Sequence, residues 1–134
     1  MNGMSGLTLK QFQEQVSDLL LRHRSLLDVL SKSQQASASV NRSVIKSVTE
    51  CGCISLQANK QPYTEELTLE ETKAIIQTHV NGQLCENCID AITVQLGKQL
   101  FYLSALCNLL ELDLDDTLAK ESQKCSTLGL FNLS

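Results

Sequence analysis

The feature that most constrains this chain is a long periodic segment at positions 85–111. An apolar residue returns every three or four positions, which predicts a helix roughly 40 Å long at 1.5 Å per residue. Aromatic residues make up only 4% of the chain and there is no Trp, so Leu, Ile, Val, Ala and Cys must supply the buried surface. Such a composition suits helix packing. The repeating residues are Ile89, Ile92, Leu96, Leu100, Leu103 and Leu110.

The rest of the chain also predicts helices, and therefore a single all-α domain over 1–134. N-cap residues and apolar spacing place them at 8–22, at 38–60, from Thr68 to about 81, and after Asp113. The segment between the first two fits either a loose connection or the start of the next helix. Helices this long have more apolar face than one protomer can cover, so we expect a homodimer, with a tetramer as the alternative.

Charge and hydropathy argue against several classes of protein. Eleven Lys and Arg stand against 15 Asp and Glu, and no basic run would fit a phosphate backbone, so nucleic-acid binding is not expected. No apolar run is long enough for a membrane anchor, and the start has no basic region before an apolar core. We expect a cytoplasmic protein whose six cysteines are reduced thiols.

Four of the cysteines form two short-spaced pairs, "CGC" at Cys51 and Cys53 and "CENC" at Cys85 and Cys88. Two such pairs are the ligands of a Cys₄ zinc or iron–sulfur site. Within a helix over 38–60, however, Cys51 and Cys53 would lie about 200° apart around the axis and could not share an ion. Sharing an ion would require irregular backbone, for instance at Gly52.

The "CENC" pair is better placed for chemistry. Positions i and i+3 at a helix start share one face, and the helix dipole lowers thiol pKa values there. Zn²⁺ binding or thiol-redox chemistry at Cys85 and Cys88, with Cys51 or Cys53 as a further candidate ligand, is therefore one hypothesis. Disulfide oxidoreductases, however, place this motif after a strand, and no strand is predicted. Cys107 and Cys125 have apolar neighbours at helical spacing and are predicted to be core residues.

Three phrases in order carry a family resemblance: "SVTECG", "LGKQLFYLSALCNLLELDLDD" and "LAKESQK". Over positions 40–124 the chain resembles the MazG-like, all-α nucleoside triphosphate pyrophosphohydrolases. The resemblance implies a helical bundle in which carboxylates on two helices, in ExxE and ExxD motifs, hold Mg²⁺ while water attacks the α-phosphate. Oxygen ligands at i and i+3 suit this hard cation.

The positions that match this pattern are altered. Glu50 stands at the first ligand position, but Cys53, Gln95 and Lys98 occupy the other three, and a Lys ammonium repels Mg²⁺. Lys124 matches the lysine of a phosphate-contacting NxxK element in which Glu121 replaces the amide. The resemblance therefore implies a family member with an altered Mg²⁺ site that binds nucleoside triphosphates with little or no catalysis. A purely structural helical oligomer is the third hypothesis.

Overall fold

The computed structural model describes residues 6–19, 25–62 and 65–130, with side chains as far as residue 128, and this part is mostly helical. No helix in these ranges is long and apolar enough to cross a bilayer. The helices are α1 (Leu9–Leu19), α2 (Leu26–Lys46), α3 (Leu69–Ile75), α4 (Glu86–Leu109) and α5 (Leu114–Leu130). A wider π-helical turn, Ser47–Cys51, extends α2, and the described residues also form two strands, β1 (Ile54–Leu56) and β2 (Val80–Gly82).

The N-terminal caps predicted from the sequence are confirmed. The Glu71 backbone N–H donates to the Thr68 hydroxyl at 3.1 Å, and the Glu71 carboxylate accepts from the Thr68 N–H at 3.0 Å. Thr8 and Gln11 form the equivalent pair at the start of α1. Each reciprocal pair satisfies two backbone donors that a helix start leaves free. The end of the first predicted helix, 20–22, lies outside the described residues.

The predicted helix over 38–60 is wrong at both ends. It begins at Leu26, so the undecided segment before it is helical, and helical structure stops at Cys51. Gly52 is the reason for the early stop, since its φ of 76° is left-handed and its N–H donates to the Ser47 carbonyl oxygen at 2.9 Å. A left-handed residue that captures such a carbonyl ends a helix.

The sequence also predicted no strand, whereas β1 and β2 form an antiparallel pair. Ile54 lies opposite Gly82 and Leu56 opposite Val80. The Asn81–Gly82 dipeptide was predicted to end the short helix, but α3 stops at Ile75 and these two residues belong to β2. Strands of three residues carry too weak a period to be recognised among helical patterns.

The chain divides into two compact units, which are described separately. The first contains Met1–Val40 and Thr93–Ser134, and the second contains Asn41–Ile92. In the first unit the core consists of the buried side chains of Val16, Val29 and Ala105. Partly buried Phe12, Phe101, Leu106 and Leu109 pack against them. Cys107 is buried as predicted, but Cys125 is exposed, so the prediction that it is a core residue is wrong.

Apolar side chains of α4 remain exposed in the first unit. Leu96, Leu100 and Leu103 are each more than 40% exposed, and with Ser33 and Gln99 they line one cavity. This stripe is the surface on which the expectation of self-association rests, and the homodimer stays a prediction.

A buried glutamine connects α1 to the turn between α4 and α5. The Gln13 side-chain amide N–H donates to the side-chain oxygen of Asn108 at 3.1 Å and to the backbone oxygen of Leu112 at 2.9 Å. Its own carbonyl oxygen accepts from the Leu114 N–H at 2.7 Å, at the first residue of α5. The Asn108 amide in turn donates to the Gln13 backbone oxygen at 2.9 Å. One polar side chain thus satisfies the backbone of a tight connection.

We expect Gln13→Ala to lower the free energy of unfolding by about 1–3 kcal/mol, because it leaves buried donors and acceptors without partners. Urea unfolding followed by circular dichroism measures the change. Gln15→Ala is the matched control, since Gln15 is exposed on the same helix. Equal stability of the two variants would show that the network is dispensable.

Candidate metal centre

Four cysteine side chains converge in the second unit. The sulfur atoms of Cys51, Cys53, Cys85 and Cys88 all lie within 4.8 Å of one another. All four thiols are free, and none of their side chains is fully buried. Within the described ranges, this cysteine cluster is the only group of three or more His, Cys, Asp or Glu side chains that could hold one metal ion.

The first pair converges because the chain leaves helical geometry between its two members. Cys51 is the last residue of the π-helical turn, Gly52 is left-handed, and Cys53 directly precedes β1. The prediction that Cys51 and Cys53 point to opposite sides of a helix is therefore wrong, and the irregular backbone considered at Gly52 is present. The Cys53 thiol also lies 3.8 Å from the Ser47 carbonyl oxygen, its hydrogen-bond acceptor.

The second pair is brought to the first by strand pairing. Because Ile54 pairs with Gly82, the residue that follows Cys53 is fixed beside the residue three positions before Cys85. The Cys85 carbonyl then accepts from the Ile89 N–H at 2.9 Å, which places Cys85 at the start of α4 and Cys88 within its first turn. The short sheet thus positions both cysteine pairs at the same end of the two paired strands.

The sulfur geometry fits one tetrahedrally coordinated ion. The Cys51 and Cys85 sulfurs lie 3.7 Å apart. A tetrahedron with zinc–sulfur bonds of about 2.3 Å has sulfur–sulfur edges of about 3.8 Å. A disulfide would need sulfurs about 2.05 Å apart. The Cys51–Cys85 distance thus has the length expected for a mononuclear tetrathiolate site, and all four sulfurs lie within 4.8 Å of one another.

The cluster also changes the acidity of its members. The backbone N–H of Cys88, the Cys88 side chain and the Cys51 side chain lower the pKa of Cys85 to about 7. Partial desolvation, together with the sulfurs of Cys85, Cys53 and Cys51, raises the pKa of Cys88 to about 12. One thiol in the cluster therefore ionises readily near neutral pH while another holds its proton, as expected for close sulfurs that share few compensating charges. A bound cation would favour the thiolate form of all four.

The residues matched to the MazG-like pattern are divided between the two units. Glu50 is an exposed residue of the π-helical turn in the second unit, and Cys53 belongs to the cysteine cluster. Gln95 and Lys98 lie in the first unit, where both line a small cavity between α2 and α4. Lys124 is exposed on α5, where its ammonium lies 4.0 Å from the Glu121 carboxylate. The Mg²⁺ site implied by the resemblance stays a prediction.

The sequence favoured Cys85 and Cys88 as ligands and left Cys51 and Cys53 as further candidates that required irregular backbone. The signal that unites them is present in the sequence, as two pairs of closely spaced cysteines of which the first contains a glycine. Glycine is the residue that adopts a left-handed conformation at low cost, and it ends helices for this reason. Assigning that role to Gly52 would have predicted the complete cluster.

No family model, curated protein or solved structure matches this chain.

We expect Gly82→Ala to weaken metal binding by at least about tenfold. Gly82 has a φ of 89°, and a Cβ atom built on it would lie 2.5 Å from the Cys53 carbonyl oxygen. Strain of about 1–3 kcal/mol at such a position would displace Cys53 from its partners. A competition titration of Zn²⁺ against a chromogenic chelator measures the affinity.

Gly97→Ala is the matched control, because Gly97 lies within α4 and a Cβ atom there would meet nothing within 4 Å. This variant should bind metal like the natural protein and gain up to about 1 kcal/mol of helix stability. Unchanged affinity in Gly82→Ala would show that the strand register does not hold the cluster together.

Proposed function

We propose that this protein binds one Zn²⁺ per chain through Cys51, Cys53, Cys85 and Cys88, and that the ion stabilises the fold of the second unit. The observation that carries the proposal is the convergence of four free sulfurs within 4.8 Å. Four thiolates this close would repel one another without a cation, because ionising one thiol opposes ionisation of the next. A divalent ion removes this conflict.

The chemistry of the donor atoms selects the metal. Four thiolates are soft ligands that favour zinc or iron, whereas Mg²⁺ requires oxygen ligands. The sulfurs lie too close together to surround an inorganic iron–sulfur core, which separates its cysteine ligands, so the spacing supports a single ion. Zinc needs no redox partner and imposes no geometry beyond the tetrahedron.

A Cys₄ set also determines what the ion would do. All four coordination positions would be taken by protein, so no position would remain for a water or a substrate. The proposed role is therefore structural: the ion would join the end of the π-helical turn to the start of α4. In a small unit, metal binding of this kind contributes folding free energy directly.

We expect the protein, purified without a tag, to contain one equivalent of zinc by inductively coupled plasma mass spectrometry. Replacement by Co²⁺ should give the d–d absorption bands of a tetrahedral tetrathiolate. Removal of the ion should unfold the second unit, visible as collapse of amide dispersion for residues 41–92 in NMR spectra. Affinity should fall as pH decreases, because protons compete for the thiolates.

Single Cys→Ser variants at the four positions should each lose zinc, whereas Cys125→Ser should retain it, since Cys125 is exposed on α5. Metal-free natural protein that resists reconstitution with zinc would overturn the proposal. If that protein instead formed a Cys85–Cys88 disulfide reversibly, the thiol-redox hypothesis would replace it.

We propose as a second candidate function that the chain is a MazG-like nucleotide pyrophosphohydrolase relative with an altered Mg²⁺ site. Helices α4 and α5 occupy the segments that the resemblance assigns to the metal helix and the final helix, and Asp113 caps α5 by accepting the Asp115 N–H at 2.7 Å. This order of elements supports the candidate. The altered ligand positions argue for binding of nucleoside triphosphates with little or no turnover.

Pyrophosphate release from ribo- and deoxyribonucleoside triphosphates with Mg²⁺ or Mn²⁺ tests this candidate. We expect little activity in the natural chain and a gain in Gln95→Glu/Lys98→Asp, which restores two carboxylate positions. Ready turnover by the natural chain would contradict the altered-site argument, and silence in both chains would remove the support for pyrophosphohydrolysis. Zinc content is measured on the same samples, so the two candidate functions are tested independently.

A further inference from the structure

The first unit contains a cavity of about 260 Å³ between α2 and α4, with both polar and apolar walls. Lys32, Gln35 and Ser39 contribute from α2, and Gln95, Lys98 and Tyr102 from α4. These residues recur at intervals of three or four along each helix, so each set occupies one helix face. Two helix faces that meet normally carry apolar side chains. Here both carry hydrogen-bonding groups, and Gln35 and Lys98 are exposed, so the cavity is an open groove that solutes can reach.

The space is created by a small residue. Ala36 also lines the cavity and is 5% exposed, while its neighbour Lys32 is half-buried. A larger side chain at position 36 would fill the volume between the helices. Phe101 forms an apolar part of the wall, and its ring meets the Tyr102 ring edge-on at a centroid distance of 5.2 Å.

The charge of the lining has one sign. Lys32 and Lys98 supply two ammonium groups, and none of the described residues that line the cavity is acidic. The ion pair found in the described part of the chain joins Lys124 to Glu121, and neither Lys32 nor Lys98 takes part in it. Two ammonium groups that line one cavity without a carboxylate favour an anionic ligand. A divalent cation would be rejected here for the same reason.

We propose that this cavity binds a small phosphate monoester without a metal ion, with the phosphate between Lys32 and Lys98. A phosphate monoester carries about −1.5 to −2 charges at neutral pH, which matches two ammonium groups, whereas a carboxylate would neutralise only one. The amides of Gln35 and Gln95 and the hydroxyl of Ser39 add hydrogen-bond donors for the phosphate oxygens. The apolar wall at Phe101 would contact a planar or apolar substituent of the ester. This inference does not depend on the zinc proposal.

The test is an NMR titration of the zinc-loaded full chain with phenyl phosphate, inorganic phosphate and benzoate. We expect saturable shifts for residues 32–39 and 95–102, with phenyl phosphate binding tightest and benzoate weakest. Lys32→Gln and Lys98→Gln should each weaken phenyl phosphate binding by at least about tenfold, since each removes a charged donor. Lys98→Arg should retain binding, because it preserves the charge and the donors.

Lys73→Gln is the matched control, because it makes the same change in net charge at an exposed residue of α3 that does not line the cavity. It should leave the affinity unchanged, and added Mg²⁺ should have no effect. Shifts that do not saturate, equal weakening by Lys73→Gln, or a requirement for Mg²⁺ would each overturn the proposal. Circular dichroism of every variant verifies that the helices are intact.

Discussion

The left-handed conformation of Gly52 is the constraint on which the second unit depends. Its N–H captures the Ser47 carbonyl oxygen, which ends the helical structure at Cys51 and redirects the chain into β1. Any residue with a Cβ atom would pay about 1–2 kcal/mol for this conformation. Were the helix to continue, Cys53 would lie on the opposite side of the axis from Cys51, and the strand pair would have no first strand.

Capped helix starts and the long periodic helix follow from local chemistry, so the sequence predicted them, whereas several helix ends were wrong. These caps join residues only two or three positions apart, and they form where the sequence indicates them. The pairs are Thr68 with Glu71, and Asp113 with the N–H of Asp115. The long helix predicted over 85–111 corresponds closely to α4. The spacing of its apolar residues indicates a helix without any knowledge of the surface against which that helix packs.

Non-local contacts explain what the sequence did not predict. The pairing of Ile54 with Gly82 joins residues far apart in the chain, and three-residue strands leave no reliable periodic pattern. Half of the cysteine cluster was recognised, because the spacing of Cys85 and Cys88 is a local signal. The other half required knowing that Gly52 ends a helix. Likewise, the sequence singled out Gln95 and Lys98 as replacements at metal-ligand positions. Lys32, which lines the same cavity, comes from another helix and was not singled out.

The two cysteine pairs stand at the two ends of the segment 54–84, which holds the strands and α3. An ion shared by the pairs would close this segment into a loop, and the entropy of loop closure grows only with the logarithm of length. Doubling the length of a flexible loop costs only about 0.6 kcal/mol. The segment between β1 and β2 could therefore be lengthened, shortened or replaced with little effect on the metal-linked end of the strand pair. The metal-linked base would serve as a fixed frame on which a variable segment can change in evolution.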